Sequence, residues 1–367
     1  MKFKLLIIAL IIISLPQLVA SQDANWNFLG AGARARGMGG AFIGVADDAT
    51  AASWNPAGLV RLEAAEASVV GLYESYTPES DVDDFDADPY QSSHFGLNFI
   101  SAAFPLSVGD KNIVAAVAYQ NVLDLFYSYD GDSYASERTG GVNAIVPSIG
   151  IQLTPAISVG ASVNIYTGST DYTYEDKTGY YSDVDATWDY AGTNFTVGGL
   201  FDFDKFRFGV VLKTPFGLTE TGEDEENILN LPQMLGFGVA YAMSENLTLA
   251  FDYDMRNYSA MRVEDEDGDE YDPDFEDLNQ LRVGAEYLYM AGTNVLPIRL
   301  GFATTPLPYK DDNDDQIVGF AVTGGVGIIM GNINLDLGLE YNKYSYEYDT
   351  GYDTYEYSDN YLRFIVS

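Results

Sequence analysis

The sequence predicts an all-β fold, a transmembrane antiparallel β-barrel of about fourteen strands with a plug in its lumen. Three observations predict it. From Ala64 onward apolar and polar residues alternate with period two, in segments of about ten residues, the pattern of barrel strands rather than helices. The connections between segments alternate long and short along the whole chain. The long ones hold 39 of the 55 acidic residues. Together these fit a barrel with short periplasmic turns and long, solvated outer loops.

The chain opens with a leader. Lys2 and Lys4 precede an apolar run from Leu5 to Leu15 and a small-residue site at Val19-Ala20-Ser21, so residues 1–21 read as an export signal peptide. That run is shorter than the roughly 20 residues a spanning helix needs. No cysteine occurs, which excludes disulfides, thiolate metal sites and thiol catalysis. Lys and Arg total 18, two of them in the leader, against 55 Asp and Glu, so the formal charge is −37 and nucleic acid is excluded as a partner.

Residues 22–62 form a second unit and 63–367 the barrel. Gly30 to Leu59, GAGARARGMGGAFIGVADDATAASWNPAGL, is too rich in Gly and Ala to build its own core, yet too apolar for a solvated tail. It needs a shell around it. Arg34 and Arg36 precede Asp47 and Asp48, so the segment brings charge partners, and burial makes an unpaired charge costly. Trp54-Asn55-Pro56-Ala57 reads as an aromatic anchor followed by a turn. Its glycines loosely fit a dinucleotide fingerprint, but no strand precedes them and no βαβ unit surrounds them.

These residues resemble the small-residue hatch of the FadL/TodX-type outer-membrane transporters of hydrophobic compounds, which ends in Asn-Pro-Ala. Asn55-Pro56-Ala57 occupies that place, and the GARARGMGGAFIGVADDA run before it is similar to the PorV-like branch. The resemblance implies passive uptake of hydrophobic small molecules, of the long-chain fatty acid or aromatic hydrocarbon type, through the outer membrane of a Gram-negative bacterium. It leaves a second role open: a PorV-like anchor or shuttle of a protein secretion system, in which protein partners meet the acidic outer loops. Both roles imply contact with outer-membrane lipid, no cofactor and no enzymatic activity.

The strands are read near residues 64–76, 93–105, 112–127, 143–154, 156–167, 190–201, 205–214, 232–243, 246–256, 279–290, 297–304, 316–330, 332–345 and 360–367. In Leu247 to Arg256, Leu247, Leu249, Phe251, Tyr253 and Met255 face away from Thr248, Ala250, Asp252, Asp254 and Arg256. The same parity turns Arg207, Lys213, Asp252, Asp254, Arg256, Arg282, Glu286, Arg299, Asp336, Glu340 and Arg363 inward, a mixed lattice suited to tying a wall to a plug. No catalytic set emerges. His94 is the only histidine, and Ser92 and Ser93 beside it form no recognisable nucleophile and base pair.

Gln120-Asn121 interrupts an apolar run in the third strand, where a bulge or kink would open the wall. The family resemblance implies a kinked third strand with a lateral opening to the membrane. Pro147 marks a second expected bulge. Glu264 to Asp277 carries ten acidic residues that suit loose Ca²⁺ contact, without EF-hand spacing, so no metal site is expected. Tyr346, Tyr348, Tyr352, Tyr355 and Tyr357 read as a strand passing through an aromatic girdle. The chain ends Phe364-Ile365-Val366-Ser367, unlike barrels that end in an aromatic residue.

Overall fold

The structure is a computed structural model; it describes residues 30–367 except 83–86, 88–89, 109–110, 224, 293 and 350–352. The expected leader, residues 22–29 and Tyr352 lie outside the described residues. Fourteen antiparallel strands follow one another around the wall. They are β1 (Glu66–Ser80), β2 (Ser92–Val108), β3 (Lys111–Asp124, resuming at Tyr127–Asp130), β4 (Tyr134–Thr154), β5 (Ile157–Asp176), β6 (Val184–Phe203) and β7 (Phe206–Lys213, then Phe216–Thr221). The chain continues with β8 (Glu226–Leu231, then Met234–Ala242), β9 (Leu247–Arg256, then Arg262–Glu264), β10 (Leu278–Ala291), β11 (Asn294–Lys310), β12 (Gln316–Met330), β13 (Ile333–Asp349) and β14 (Thr354–Val366). The sheet closes where β1 pairs with β14, from Gly71↔Val366 to Ser80↔Tyr357, so no edge strand is left in lipid.

Alternation sorts the wall into two faces. Phe195, Phe208, Phe251, Leu300, Val322 and Leu337 are exposed on the outside. A belt of this extent would aggregate in water and is what a barrel presents to hydrocarbon. Inside, Asp252, Asp254, Arg256, Arg282, Glu286, Arg299, Glu340 and Arg363 are buried, while Arg207, Lys213 and Asp336 are partly buried. No helix among the described residues is long and apolar enough to cross a membrane.

The long outer loops expected from the sequence are in large part paired strand. Pairing of β4 with β5 runs from Thr154↔Ile157 out to Tyr134↔Asp176, and β13 pairs with β14 out to Asp349↔Thr354. The lipid belt ends earlier than the ladder does. Beyond the hydrocarbon the outward residues need no longer be apolar, so Ser, Thr, Asp, Glu and Lys replace Leu and Phe and the period-two signal fades while backbone bonding continues. The third strand, expected unbroken over 112–127, stops at Asp124 and resumes at Tyr127.

Residues 30–62 fold as two short helices, α1 (Ala33–Gly37) and α2 (Ala51–Trp54), and a 3₁₀ turn over Pro56–Arg61. From Gly30 to Val60 every residue is buried except Arg34, Arg36, Asp47 and Asp48, which are half-buried. Helices this short are marginal on their own. This one segment is enclosed by the wall, and the contacts described next hold it there.

Candidate functional site

The inner segment meets the wall through backbone. A side chain at Gly301 of β11 would begin 2.0 Å from the Gly39 nitrogen, one at Gly284 of β10 2.3 Å from the Met38 oxygen, and one at Gly209 of β7 2.3 Å from the Ile43 oxygen. Gly160 of β5 and Gly198 of β6 leave room in the same way for Pro56 and Asn55. Inward glycines on successive strands thus form a seat into which only bare backbone could bring the segment so close.

Polar groups fix its register. Asp252 accepts hydrogen bonds from the amides of Phe42 (2.7 Å) and Ile43 (2.8 Å). Asn55 donates through Nδ2 to the carbonyls of Ile43 (3.0 Å) and Gly199 (3.1 Å) and accepts the Ala57 amide (3.1 Å), joining two parts of the segment to β6. Trp54 donates to the Ala31 carbonyl (2.8 Å) and packs edge-on against Phe42. Pro56 opens the 3₁₀ turn, where a missing N–H costs nothing, and Ala57 is wholly buried beside it.

The four half-buried charges of the segment are all paired, and the exposed Arg61 at its end lies 3.4 Å from Asp202. Arg34 bonds Asp47 (2.5 Å), Asp48 (3.3 Å) and, through both Nε and Nη2, Glu286 of β10 (2.9 Å). Arg36 bonds Glu340 of β13 (3.0 Å), and Asp47 also lies 3.6 Å from Arg207. Behind these, Glu286 bonds Arg299 (2.7 Å), Arg299 bonds Asp336 (2.5 Å), and Arg363 bridges Glu340 (2.8 Å) and Glu74. A polar cavity of about 490 Å³ opens at the short-turn end between Arg34, Asp48, Glu286, Arg299 and Asp336.

Toward the long-loop end the lining changes character. Leu123, Leu125, Val142, Tyr166, Trp188, Tyr190, Leu218, Leu229 and Leu231 turn inward and are buried together. Tyr258, Met261, Val263 and Phe275, from the acidic stretch 257–278, join them, so that stretch buries its apolar residues and exposes most of its acids. Lys213 and Arg256 stand at the floor, lining one small cleft with Tyr166, Phe216, Met234 and Tyr258.

The wall is interrupted beside this apolar interior. Pairing of β2 with β3 ends at Phe99↔Gln120, while β2 continues upward against β1 alone as far as Ser92. On its other side β3 stays bound to β4, with a bulge between Asn121 and Leu123. Gln120 and Asn121 therefore sit at the lower end of a seam without backbone bonds. Asn121 itself donates to Asn143 of β4 (3.1 Å). The bulge expected at Pro147 does not form: Pro147 pairs in register with Val117 of β3, and on the β5 side the register is the same at Ile145↔Ile165 and Ser148↔Ser162.

A closed fourteen-strand wall, a buried N-terminal segment and an interrupted third strand together decide the comparison with solved structures. The chain has the FadL/TodX-type barrel fold. A FadL homologue of Pseudomonas aeruginosa superposes with a TM-score of 0.66 at 11% identity, over 92% of this chain and 98% of that one. The toluene transporter TodX of P. putida gives 0.64 at 14%, over 93% and 98%. The monoaromatic hydrocarbon channel CymD gives 0.60 at 16%, over 93% and 98%. No protein-family model matches the sequence, nor does any curated protein. At such identities the likeness is one of FadL/TodX-type architecture: an outer-membrane barrel of the Gram-negative kind.

Sequence reasoning missed the seat of inward glycines, the Glu74 partner of Arg363 and the apolar interior above Lys213. The glycines carried a usable signal, since Gly160, Gly209, Gly284 and Gly301 all fall at the inward parity, on the same face as Ser158, Arg207, Arg282 and Arg299.

Proposed function

We propose that this barrel mediates passive uptake of hydrophobic small molecules across the outer membrane, with residues 22–62 as a hatch and 63–367 as the barrel. The observation that carries the reading is an apolar interior bounded below by the hatch and beside it by the unpaired stretch of β2 and β3. A lumen filled at mid-height does not suit an open aqueous pore. A solute that reaches the apolar interior meets, above Phe99↔Gln120, a stretch of wall without backbone bonds between β2 and β3, so its shortest exit leads sideways into lipid. The names of the neighbours, transporters and channels of toluene and monoaromatic hydrocarbons, support the solute class.

Lys213 and Arg256 refine that class. An ammonium and a guanidinium at the floor of an apolar, aromatic interior suit an amphipathic acid, its chain among Tyr166, Phe216 and Tyr258 and its carboxylate on the cations. A neutral hydrocarbon would gain nothing from them. The test is uptake of radiolabelled oleate and toluene by cells lacking their own such transporter, with and without this chain. We expect oleate uptake to rise several-fold. Unchanged uptake of both, together with a protein complex lost on shortening 257–278, would replace transport by the PorV-like anchoring role.

A further inference from the structure

Above Phe99↔Gln120 the two strands that border the seam are joined by side chains rather than by a ladder. His94 of β2 and Asp124 of β3 meet across it, Nε2 to Oδ2, at 2.8 Å. The Phe126 ring stacks on the imidazole with centroids 4.2 Å apart, and the other Asp124 oxygen accepts the Phe126 amide at 3.1 Å, which fixes the carboxylate. Behind His94, its β1 register partner is Glu74, which is held by Arg363 of β14. His94 thus stands beside a fixed carboxylate on β1 and bonds forward to Asp124.

The space beneath that bond is bounded by small or short groups. Gly96 presents no side chain, and the Asp124 carboxylate lies 3.7 Å from where one would begin. Asn98 is the bulged residue that β1 skips between Val70↔Phe99 and Gly71↔Leu97. On the inner side lie the buried Leu123 and Leu125 of the apolar interior; on the outer side Phe95 and Leu97 are exposed on the wall. Apolar surface therefore continues from lumen to lipid, with one polar pair across its upper end.

We propose that the His94–Asp124 pair is a clasp that holds the seam between β2 and β3 shut and must part before a solute can take the sideways exit of the uptake reading. This rests on the uptake reading above. A single charge-assisted bond and one ring stack can break and reform while both strands stay anchored, β2 by its ladder to β1 and β3 by its ladder to β4. No ladder needs to melt. The pair is also badly explained as mere rim decoration, since it is half-buried and spans the interval where the wall has no backbone bonds.

The chain has no cysteine, so thiols can be placed at will. In His94→Cys/Asp124→Cys, a short reducible bis-methanethiosulfonate should link the strands, verified by mass. Uptake of radiolabelled oleate and toluene is then measured in whole cells. The expected result is a loss of about tenfold on linking, restored by reductant. Linking Ala102→Cys to Val117→Cys, on the paired part of the same two strands, should change nothing. Uptake that survives verified linkage at 94 and 124 overturns the clasp and leaves transport standing; a wild-type chain without uptake overturns transport and the clasp with it. Should the double variant not insert, His94→Ala carries the test. Losing one hydrogen bond should raise the open fraction and uptake about twofold or more, and an unchanged or lower rate in folded protein overturns the proposal.

Discussion

Asn55 carries more of the hatch than its size suggests. Its amide closes two carbonyls, Ile43 and Gly199, while its oxygen takes the Ala57 amide, and the residue is wholly buried. Asn55→Ala leaves those groups unpaired where water cannot replace the bonds, at about 1–3 kcal/mol for a buried group. We expect faster amide exchange and protease cleavage within residues 30–60 while the barrel stays heat-modifiable on gels; equal exchange would show that the wall glycines alone seat the segment. Lys213→Met removes one cation from the floor of the apolar interior. A charged hydrogen bond is worth about 1.5–3 kcal/mol, so oleate uptake should fall roughly tenfold or more while toluene uptake holds. A parallel fall in both would mean that Lys213 shapes the interior instead. Asn55 was legible because Asn-Pro-Ala is a compact motif. Lys213 was legible only as an inward charge, since the aromatic cluster above it draws on Tyr166, Phe216 and Tyr258, three separate strands or their extensions.

At the scale of elements, the glycine seat predicts a steep response to one methyl group. Gly301→Ala would place a carbon 2.0 Å from the Gly39 nitrogen, and Gly284→Ala 2.3 Å from the Met38 oxygen. Neither neighbour is a side chain that can turn away. Overpacking of this kind costs typically about 1–3 kcal/mol, so we expect a lower unfolding temperature by gel mobility and a displaced hatch, whereas Gly324→Ala on β12, where nothing lies closer than 3.8 Å to the added carbon, should fold and unfold as wild type. The hairpin between β5 and β6 predicts a pH effect. Asp176 accepts the Thr178 hydroxyl (2.6 Å) and the amides of Tyr181 (2.6 Å) and Thr178 (3.0 Å), and these bonds, the hydroxyl first, draw its carboxyl down to about 2. A carboxyl depressed in the folded state stabilises the turn above its ordinary value of 3.8 and loses that contribution as pH falls through about 2. Exchange of the Thr178 and Tyr181 amides should therefore quicken, relative to other loop amides, below about pH 4; Asp176→Asn should remove the dependence. Strand positions in the lipid belt were readable from parity alone. Their outer extensions were not, because Ser169, Asp171, Thr173 and Glu175 on the outward face erase the apolar signal while pairing continues to Tyr134↔Asp176.

For the whole molecule, closure and plugging are separable, and that separation can be measured. The wall closes on itself by β1 with β14, and Asp336 and Ser367 exchange both backbone bonds at its base (2.8 and 3.0 Å), so the barrel owes none of its ladder to the hatch. The hatch in turn buries its charges against wall charges: Arg34 on Glu286, Arg36 on Glu340, Asp47 near Arg207. Removing residues 30–60 strips a partner from each of these wall groups but opens the lumen to water, which can solvate them, so the penalty for breaking a buried pair is largely avoided. The deletion should therefore insert as a heat-modifiable β-barrel. Its conductance in planar bilayers should rise well above that of the full chain and should be cation-selective, since the outer segments carry the greater part of the −37 net charge. Uptake of oleate, by contrast, should lose saturation and discrimination, because Trp54 and Ile43, which face Lys213 and Arg256 across a narrow cleft and close the floor beneath them, have gone and leave both cations open to water. A deletion variant that folds and conducts no better than the full chain would place the barrier to water in the apolar interior above Lys213 instead, and would move the gate wholly to the β2 and β3 seam.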